Sequence, residues 1–574
     1  MICYMPHLYK KTSSGRTYWY LRETVREGKK VRTKWQKYLG TPETILARLE
    51  ALEGENKPLK FSSNEFGSLF ILNELEKEID TIGIVDSIIP RSAKESGPSI
   101  GECFFLAWMN RLIEPKSKSA IGKWYRNTDM ESIRAIDCGS ISSQKYWDKW
   151  SRVSEKQIEE IAEAFFSKIW SRYESPGDCF LFDTTNFFTY MSAKNSSFLA
   201  RRGKNKAGKS HLRQIGLALL VDRFSKLPLF YRIYPGNQHD SKVFGTIIEE
   251  MFGMLAEFNP NKQRLTVVLD KGMNSEDNIA FIDDHQQTHF VTTYSTHFAE
   301  EITTTPIEHF SAVNHPANLA RSDKNRVLAF RTTGEFWGKK RTVVATFNPL
   351  THRKKALVLD QKLQKIREEL LEYRRKHRDK KPHWRDFETI KNRYEKLCLD
   401  LHIGTQFYSL EECKEEGEFI FRKNVYAILV QKKRLGRNII VTDQNGWTTE
   451  EIISASLDRS IFESHFRTTK SPMTISANPM FHWTDSKIRC HFLVCVIALT
   501  MLRILEMKIE KKMGKHSGLR IIQELRNLHS VFTWKKGQKI PEKQIEEPTQ
   551  FHLDVLKAFG WEISSSWVLQ PTTS

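Results

Sequence analysis

The segment Cys179-Phe-Leu-Phe-Asp183-Thr-Thr-Asn186 runs four apolar residues straight into a carboxylate. Such a run reads as a buried strand delivering an acid at or just past its end. Downstream, 215–221 and 227–234 read as two more strands around a turn at 222–226. Pro235-Gly-Asn-Gln-His-Asp240 then turns into a helix over 241–257, with Asp240 as N-cap. Residues 264–269 repeat the opening pattern, an apolar run that ends in Asp270-Lys-Gly272, and a helix near 275–285 and a strand at 288–293 follow. This mixed alternation argues an α/β sheet with helices on its faces, an arrangement that places chemistry at strand ends. Singly, acids such as Asp183 and Asp270 are more often caps or turn residues. Their delivery by apolar strands of one sheet is what marks them.

A third acid stands in Ser456-Leu-Asp-Arg459-Ser-Ile-Phe-Glu463-Ser-His-Phe-Arg467-Thr-Thr-Lys470. This stretch reads as a helix, opened by Thr448-Thr-Glu450-Glu451 and stopped by Pro472. At roughly 100° per residue, Ser456, Arg459, Glu463, Arg467 and Lys470 fall within an arc of about 80°. One carboxylate then sits among three cations, with Leu457, Ile461, Phe462 and Phe466 as apolar flanks on both sides. A surface helix with i,i+4 ion pairs has the same pattern, and only the two strand-borne acids argue for more.

The net charge of +20, from 89 Lys+Arg against 69 Asp+Glu, predicts a polyanionic partner. Nucleic acid, ribosomes and anionic membranes all satisfy charge alone. Two segments concentrate it. Residues 1–40 alternate apolar and polar around Tyr18-Trp19-Tyr20-Leu21 and Val31-Arg-Thr-Lys-Trp35, a small antiparallel ribbon with ten Lys/Arg against two Glu. It is a solvated basic hairpin or a contact to the DNA backbone. Arg201, Arg202, Lys204, Lys206, Lys209 and Arg213 follow the first acid with no carboxylate among them, as an exposed loop suited to phosphates. The eight cysteines are scattered without a C-x-x-C pair, which implies a reducing compartment and no structural zinc. The N-terminus lacks the apolar core of a signal peptide, and the longest apolar run, 492–502, is short for a bilayer. The expectation is a cytoplasmic protein that does not enter membranes.

Around these motifs, helices are expected at 41–54, 66–88, 99–113 and 154–173, with Asn110-Arg111-Leu-Ile-Glu-Pro115 as an interruption. Between the second and third acids, strands are expected at 327–331, 341–347, 418–421, 426–430 and 438–442, and a helical hairpin from Leu359, Leu363, Ile366, Leu370, Tyr373 and Phe387, Ile390, Tyr394, Leu397. Residues 491–499 read as a buried helix and 516–574 as a mixed, partly helical tail. The domain expectation is a basic ribbon plus helices that bind DNA (1–115), a helical linker region (116–175) and a catalytic core in two parts (176–300 and 447–515). An insertion (301–446) interrupts that core, and a C-terminal tail suited to dimerisation (516–574) follows it.

Three carboxylates on separate segments can hold two divalent cations for in-line phosphoryl transfer, and no Walker-type glycine loop is present. At this point the motifs carry a resemblance. The chain resembles a DDE transposase of the insertion-sequence-four superfamily, in the subgroup numbered sixteen thirty-four. The family's third-acid helix reads Tyr-x2-Arg-x3-Glu-x6-Lys; Arg459-x3-Glu463-x6-Lys470 fits it, with Ser456 at the tyrosine position. Asp183-Thr-Thr-Asn, Tyr234-Pro-Gly-Asn-Gln-His-Asp240 and Leu269-Asp270-Lys-Gly resemble the first-acid strand, the loop before the helix and the second-acid strand. The resemblance spans about 4–545. It implies an α/β multidomain protein whose RNase H-like core is interrupted by a largely β insertion, with a helical, basic N-terminal region and a helical tail. It also implies Asp183, Asp270 and Glu463 as catalytic ligands of two Mg²⁺ ions, for which Mn²⁺ substitutes. Arg459, Arg467 and Lys470, with the 201–213 cations, would contact DNA. Cut-and-paste transposition follows, through hairpin ends in some relatives, within a homodimer and in a prokaryotic cytoplasm near the nucleoid. In relatives an aromatic of the insertion can stack on a flipped base; Trp337, Trp447 and, lower, Trp384 are candidates, although tryptophans in such positions are more often core residues. Two readings compete: an RNase H-like nuclease that cuts without joining, and a domesticated DNA-binding protein without chemistry.

Overall fold

The computed structural model describes residues 6–27, 30–52, 60–137, 141–173, 178–192, 194–203, 208–209, 211–238, 240–258, 265–285, 288–297, 299–413, 418–477, 480, 482–534 and 539–572. Contacts group the chain into two units: Met1–Asp86 with Pro90–Trp147 and Ile504–Ser574, and Ser87–Ile89 with Asp148–Arg503.

The first unit opens with β1 (His7–Ser13), β2 (Arg16–Glu27) and β3 (Lys30–Gly40), an antiparallel sheet of three strands where alternation suggested a simple ribbon. Ser14 and Gly15 both take positive φ, 49° and 75°, which matches the twist of a two-residue hairpin. β4 (Lys60–Glu65) follows. The helix expected over 66–88 is two helices, Gly67–Ile79 and Thr81–Ile88. Asp80 separates them at φ 61°, and the buried Glu76 carboxylate spans the break, accepting from the Thr81 hydroxyl at 2.5 Å and the Ile82 N–H at 2.9 Å. Asn110 and Arg111, expected to interrupt, lie buried in the last turn of helix Ile100–Ile113, which a Ser99–Glu102 capping box opens.

In the second unit the apolar runs become strands as expected: β5 (Cys179–Thr189), β6 (Arg213–Asp222), β7 (Pro228–Pro235), β8 (Leu265–Leu269) and β9 (Thr288–Tyr294). Helix Asp240–Phe258 includes Asp240 as its first residue instead of being capped by it. β10 (Ser311–Ala312), β11 (Leu328–Phe336), β12 (Lys339–Phe347), β13 (Tyr408–Cys413), β14 (Glu418–Lys423) and β15 (Arg437–Thr442) complete the unit. Nine strands form one sheet in the order β10-β11-β12-β15-β9-β8-β5-β6-β7, with β5–β8 and β8–β9 parallel. The strands of the expected insertion therefore do not stand apart. β12 pairs with β15 and β15 with β9, which extends the acid-bearing sheet.

Off that sheet are the β13–β14 pair and two long helices, Pro349–Arg378 and Phe387–Asp400. The expected helical spacing closes a cluster of Leu359, Leu363, Ile366, Leu370, Tyr394 and Cys398. The run Tyr426-Ala-Ile-Leu-Val, expected as a strand, is instead the helix Val425–Arg434. Asn424 caps it, accepting from the Ala427 N–H at 3.0 Å, and Lys432, Lys433 and Arg434 occupy its last turn.

Helix Asp485–Met513 is long and apolar enough to cross a membrane by length and composition, but 89% of its apolar window is buried within the protein. Its apolar surface serves the core. The expected tail contains β16 (His529–Trp534), β17 (Glu542–Ile545), β18 (Trp561–Ile563) and β19 (Leu569–Pro571). β16 pairs antiparallel with β4 on one side and β17 on the other, so the expected tail shares a sheet with Lys60–Glu65.

Candidate catalytic site

β5 does not stop at its acid. It runs on to Thr189, pairing with β6 throughout, whereas its parallel ladder with β8 ends at Leu181–Val268. Asp183 therefore sits where one neighbour strand gives out. The register Cys179–Thr266, Phe180–Val267, Leu181–Val268, continued by two residues, sets Asp183 level with Asp270, the first residue beyond β8. Adjacent strands lie about 4.8 Å apart and paired residues share a face, so two half-buried carboxylates are presented side by side. Both have the same local support. The Thr184 N–H donates to Asp183 at 2.8 Å and the Lys271 N–H donates to Asp270 at 2.7 Å.

The third-acid segment differs from the single helix expected. Thr448 and Glu451 form the anticipated capping box, but helix Thr449–Leu457 ends there and a second helix runs Ser460–Lys470. Between them the backbone tightens: Ile461 and Phe462 donate to Asp458 and Arg459, three residues back. Arg223, from the β6–β7 turn, holds the break by bonding Asp458 at 2.7 Å and Ser454 at 2.9 Å. Ser456 is buried in the first helix, whereas Glu463 in the second is exposed. The apolar flanks change too. Phe462 and Phe466 are buried and stack at 5.6 Å, while Leu457 is 68% exposed.

The second helix reaches both acid strands through its ends. At its start the half-buried Arg459 pairs with Asp270 at 2.8 Å. At its end Lys470 donates to the Thr185 hydroxyl at 2.5 Å and lies 5.1 Å over the Phe187 ring. Burial pulls the Lys470 ammonium below its usual range, and the Asp183 carboxylate pulls it partly back. Glu463 stands exposed in the first turn and Arg467 exposed in the last, as the helix dipole favours.

Asp183 and Asp270 offer hard oxygen donors at one level, which fits a divalent cation such as Mg²⁺. Glu463 is not drawn into a common cluster with them. Among the described residues, no group of three or more His, Cys, Asp and Glu could hold a metal ion. Of the basic loop, Arg201 and Arg202 are exposed, as is Lys209, whose ammonium lies 5.4 Å from the Phe188 ring. Arg213 is half-buried and donates to the Ala200 carbonyl at 3.1 Å, while Lys204 and Lys206 lie outside the described residues.

What fixes that loop was not singled out from sequence. Asp485 accepts from the Phe198 and Leu199 N–H groups at 2.9 and 3.3 Å, and Arg201 bridges to Gln214 on β6. Gly236 in the Pro-Gly-Asn turn is required because a Cβ there would strike the Gln214 backbone. Thr185 and Thr293, which receive Lys470 and Arg459, also escaped notice, although the Asp-Thr-Thr triplet was a signal for the former.

The tryptophan candidates are all packed. Trp337 donates to the Asn274 carbonyl at 3.1 Å and meets Tyr294 edge-on, Trp447 is half-buried, and Trp384 is covered by Tyr373, Lys376 and Arg393.

A family model described as the transposase DDE domain matches residues 175–500, the span from just before β5 into helix Asp485–Met513. No curated protein matches the chain. Among solved structures, a synaptic complex of piggyBac transposase with hairpin DNA is similar at 9% identity and a TM-score of 0.36, covering 81% of this chain and 82% of that one.

Proposed function

Because the chain belongs to the transposase DDE domain family, DNA-cleaving phosphoryl-transfer enzymes of DNA transposition, we propose that it cuts the ends of a mobile element and joins them to target DNA, with Asp183, Asp270 and Glu463 as its catalytic acids. The observation that carries this is the β5–β8 register, which continued by two residues sets Asp183 level with Asp270, with Arg459 and Lys470 reaching the two strands from either end of one helix. Asp183 and Asp270 would hold Mg²⁺ or Mn²⁺, with Glu463 as the third ligand. Two metal ions held there would supply an activated water and stabilisation of the leaving oxygen. The chain's own residues do the rest. Lys470, fixed by Thr185 over the Phe187 ring, presents a cation beside Asp183 where a scissile phosphate must lie. Arg467, Arg201, Arg202, Lys204, Lys206, Lys209 and Arg213 neutralise flanking backbone. Arg459 has a second task, since its pairing with Asp270 holds that carboxylate in place.

The motif order supports the finer assignment to the insertion-sequence-four superfamily and its subgroup sixteen thirty-four. With it come an RNase H-like core, cut-and-paste chemistry through hairpin ends, a homodimer on paired ends and a cytoplasmic setting.

The test is cleavage of the element's terminal DNA with Mg²⁺ or Mn²⁺. Asp183→Asn and Glu463→Gln are expected to lower nicking by at least about a thousandfold, ~4 kcal/mol of transition-state stabilisation, with end binding kept. Nicking that survives both substitutions would overturn the assignment, and so would equal loss of binding and cleavage. Strand-transfer products separate a transposase from a nuclease that only cuts.

A further inference from the structure

The pairing register of β1–β3 sorts the ribbon's residues between two faces. Tyr9, Tyr20 and Tyr38 stand directly opposite one another on the three strands, and Tyr18 shares their face two residues before Tyr20. Their rings form a ladder, with centroids 6.3 Å apart for Tyr9–Tyr20, 5.2 Å for Tyr20–Tyr38 and 6.3 Å for Tyr18–Tyr38. The same register interleaves Lys11, Arg16 and Arg22 among them. The Arg22 guanidinium lies 3.7 Å over the Tyr9 ring, and its Nε donates to Gln36 at 2.8 Å. Glu23 belongs to the opposite face, where it is 8% exposed and bonded to Lys34 and Trp35.

A face that covers a core hides its rings, and this one does not. Tyr38 is 47% exposed, Lys11 and Arg16 are exposed, and Tyr9, Tyr18 and Tyr20 are half-covered. Cations alone suffice to neutralise a duplex backbone, so backbone contact leaves four exposed-side rings unexplained. Aromatic rings laid side by side on a cationic sheet are what unpaired bases stack on, at about 1–3 kcal/mol per base and with little regard to sequence.

We propose that the tyrosine face of β1–β3 is a stacking platform for unpaired DNA, with Lys11, Arg16 and Arg22 on its phosphates. DNA is the occupant because the chain is a DNA transposase by family and the strands contribute cations but no acid to this face. Strand separation at a cleaved end is the step that supplies unpaired bases.

The test uses the full chain and fluorescence anisotropy, with an oligothymidylate and a duplex of equal length. Tyr9→Leu and Tyr38→Leu keep an apolar ladder but remove the π-face. Each is expected to weaken oligothymidylate binding about tenfold and leave duplex affinity and the melting temperature unchanged. Tyr38→Phe retains binding. Lys11→Gln weakens both ligands and lowers the salt slope by about 1. Equal losses on the two ligands, or no loss from a folded Leu variant, overturn the platform. If a Leu variant unfolds, 5-iodouracil crosslinking to the unmodified protein decides. Adducts on ribbon tyrosines support the proposal, and adducts confined to other segments overturn it. Binding here is read without cleavage, so the platform can fail while the Asp183 assignment stands, and the reverse.

Discussion

Two regions of the molecule hold carboxylates in opposite ways. Glu76, in the last turn of helix Gly67–Ile79, is 1% exposed, and burial pushes its carboxyl up to about 7 against the donors that oppose the shift. Asp183 and Asp270 sit half-buried at a strand edge, and Glu463 is exposed. Glu76 has the strongly perturbed titration that commonly marks a catalytic site, yet its two oxygens are consumed by Thr81 and Ile82. What distinguishes the acids proposed to take a cation is access, with Asp183 and Asp270 backed by β5 and β8. A perturbed carboxyl with no open side is a structural brace.

The largest effect that would break this contrast concerns the backing of the accessible acids. Phe187 is fully buried on β5, meets Phe492 edge-on at 5.1 Å and lies beneath Lys470. Phe187→Ala should cost about 3–5 kcal/mol in denaturant unfolding, by lost burial and a residual cavity, and take cleavage down with it. Asp183→Asn, by contrast, should abolish cleavage at nearly unchanged stability. If Phe187→Ala cleaves normally, the acids do not depend on the rigid strand beneath them.

The brace predicts an effect on stability with pH. A carboxyl raised from 4.5 to about 7 binds its proton more tightly in the folded chain. Its stabilisation is fully present below about 4.5 and is lost as pH rises through about 7, roughly 3 kcal/mol in all. Glu76→Gln should flatten the melting temperature between pH 5 and 8 and leave DNA cleavage intact. A variant whose pH dependence matches the original would show that Glu76 is not the titrating brace.

The same contrast shows what the sequence could and could not disclose. The apolar runs of β5, β6, β7 and β8 were legible because a buried strand needs little beyond hydrophobic continuity. That Asp183 and Asp270 are level was not, since it depends on a parallel register set by residues 87 positions apart. The break at Asp458–Arg459 was hidden for the same reason: Arg223 lies 235 residues from Asp458. Residues 426–430 read as a strand because a short apolar run fits either state, although Asn424 and the cationic last turn of helix Val425–Arg434 are local helix signals. The apolar runs of β12 and β15 were visible, but their pairing into the acid-bearing sheet was not.

The smallest predicted effect tests whether the break in the third-acid segment matters. Helix Thr449–Leu457 is fixed at one end by Arg223 and at the other by its capping box. The Glu451 N–H donates to the Thr448 hydroxyl at 3.2 Å, and the Thr448 N–H donates to the Glu451 carboxylate at 2.7 Å. Thr448→Ala should cost about 1 kcal/mol, the ordinary worth of a lost cap. The Glu451 carboxyl is held below its usual range chiefly by that backbone bond and then by the Thr448 hydroxyl. A depressed carboxyl stabilises above about 4.5, and that contribution is lost as pH falls through its folded value, so the variant should lose less on acidification. Cleavage at neutral pH should fall less than threefold, because Arg459 and Lys470 still tie the second helix to the acid strands. A loss as deep as that of Glu463→Gln would mean that the first helix, and not those two cations, sets where Glu463 stands.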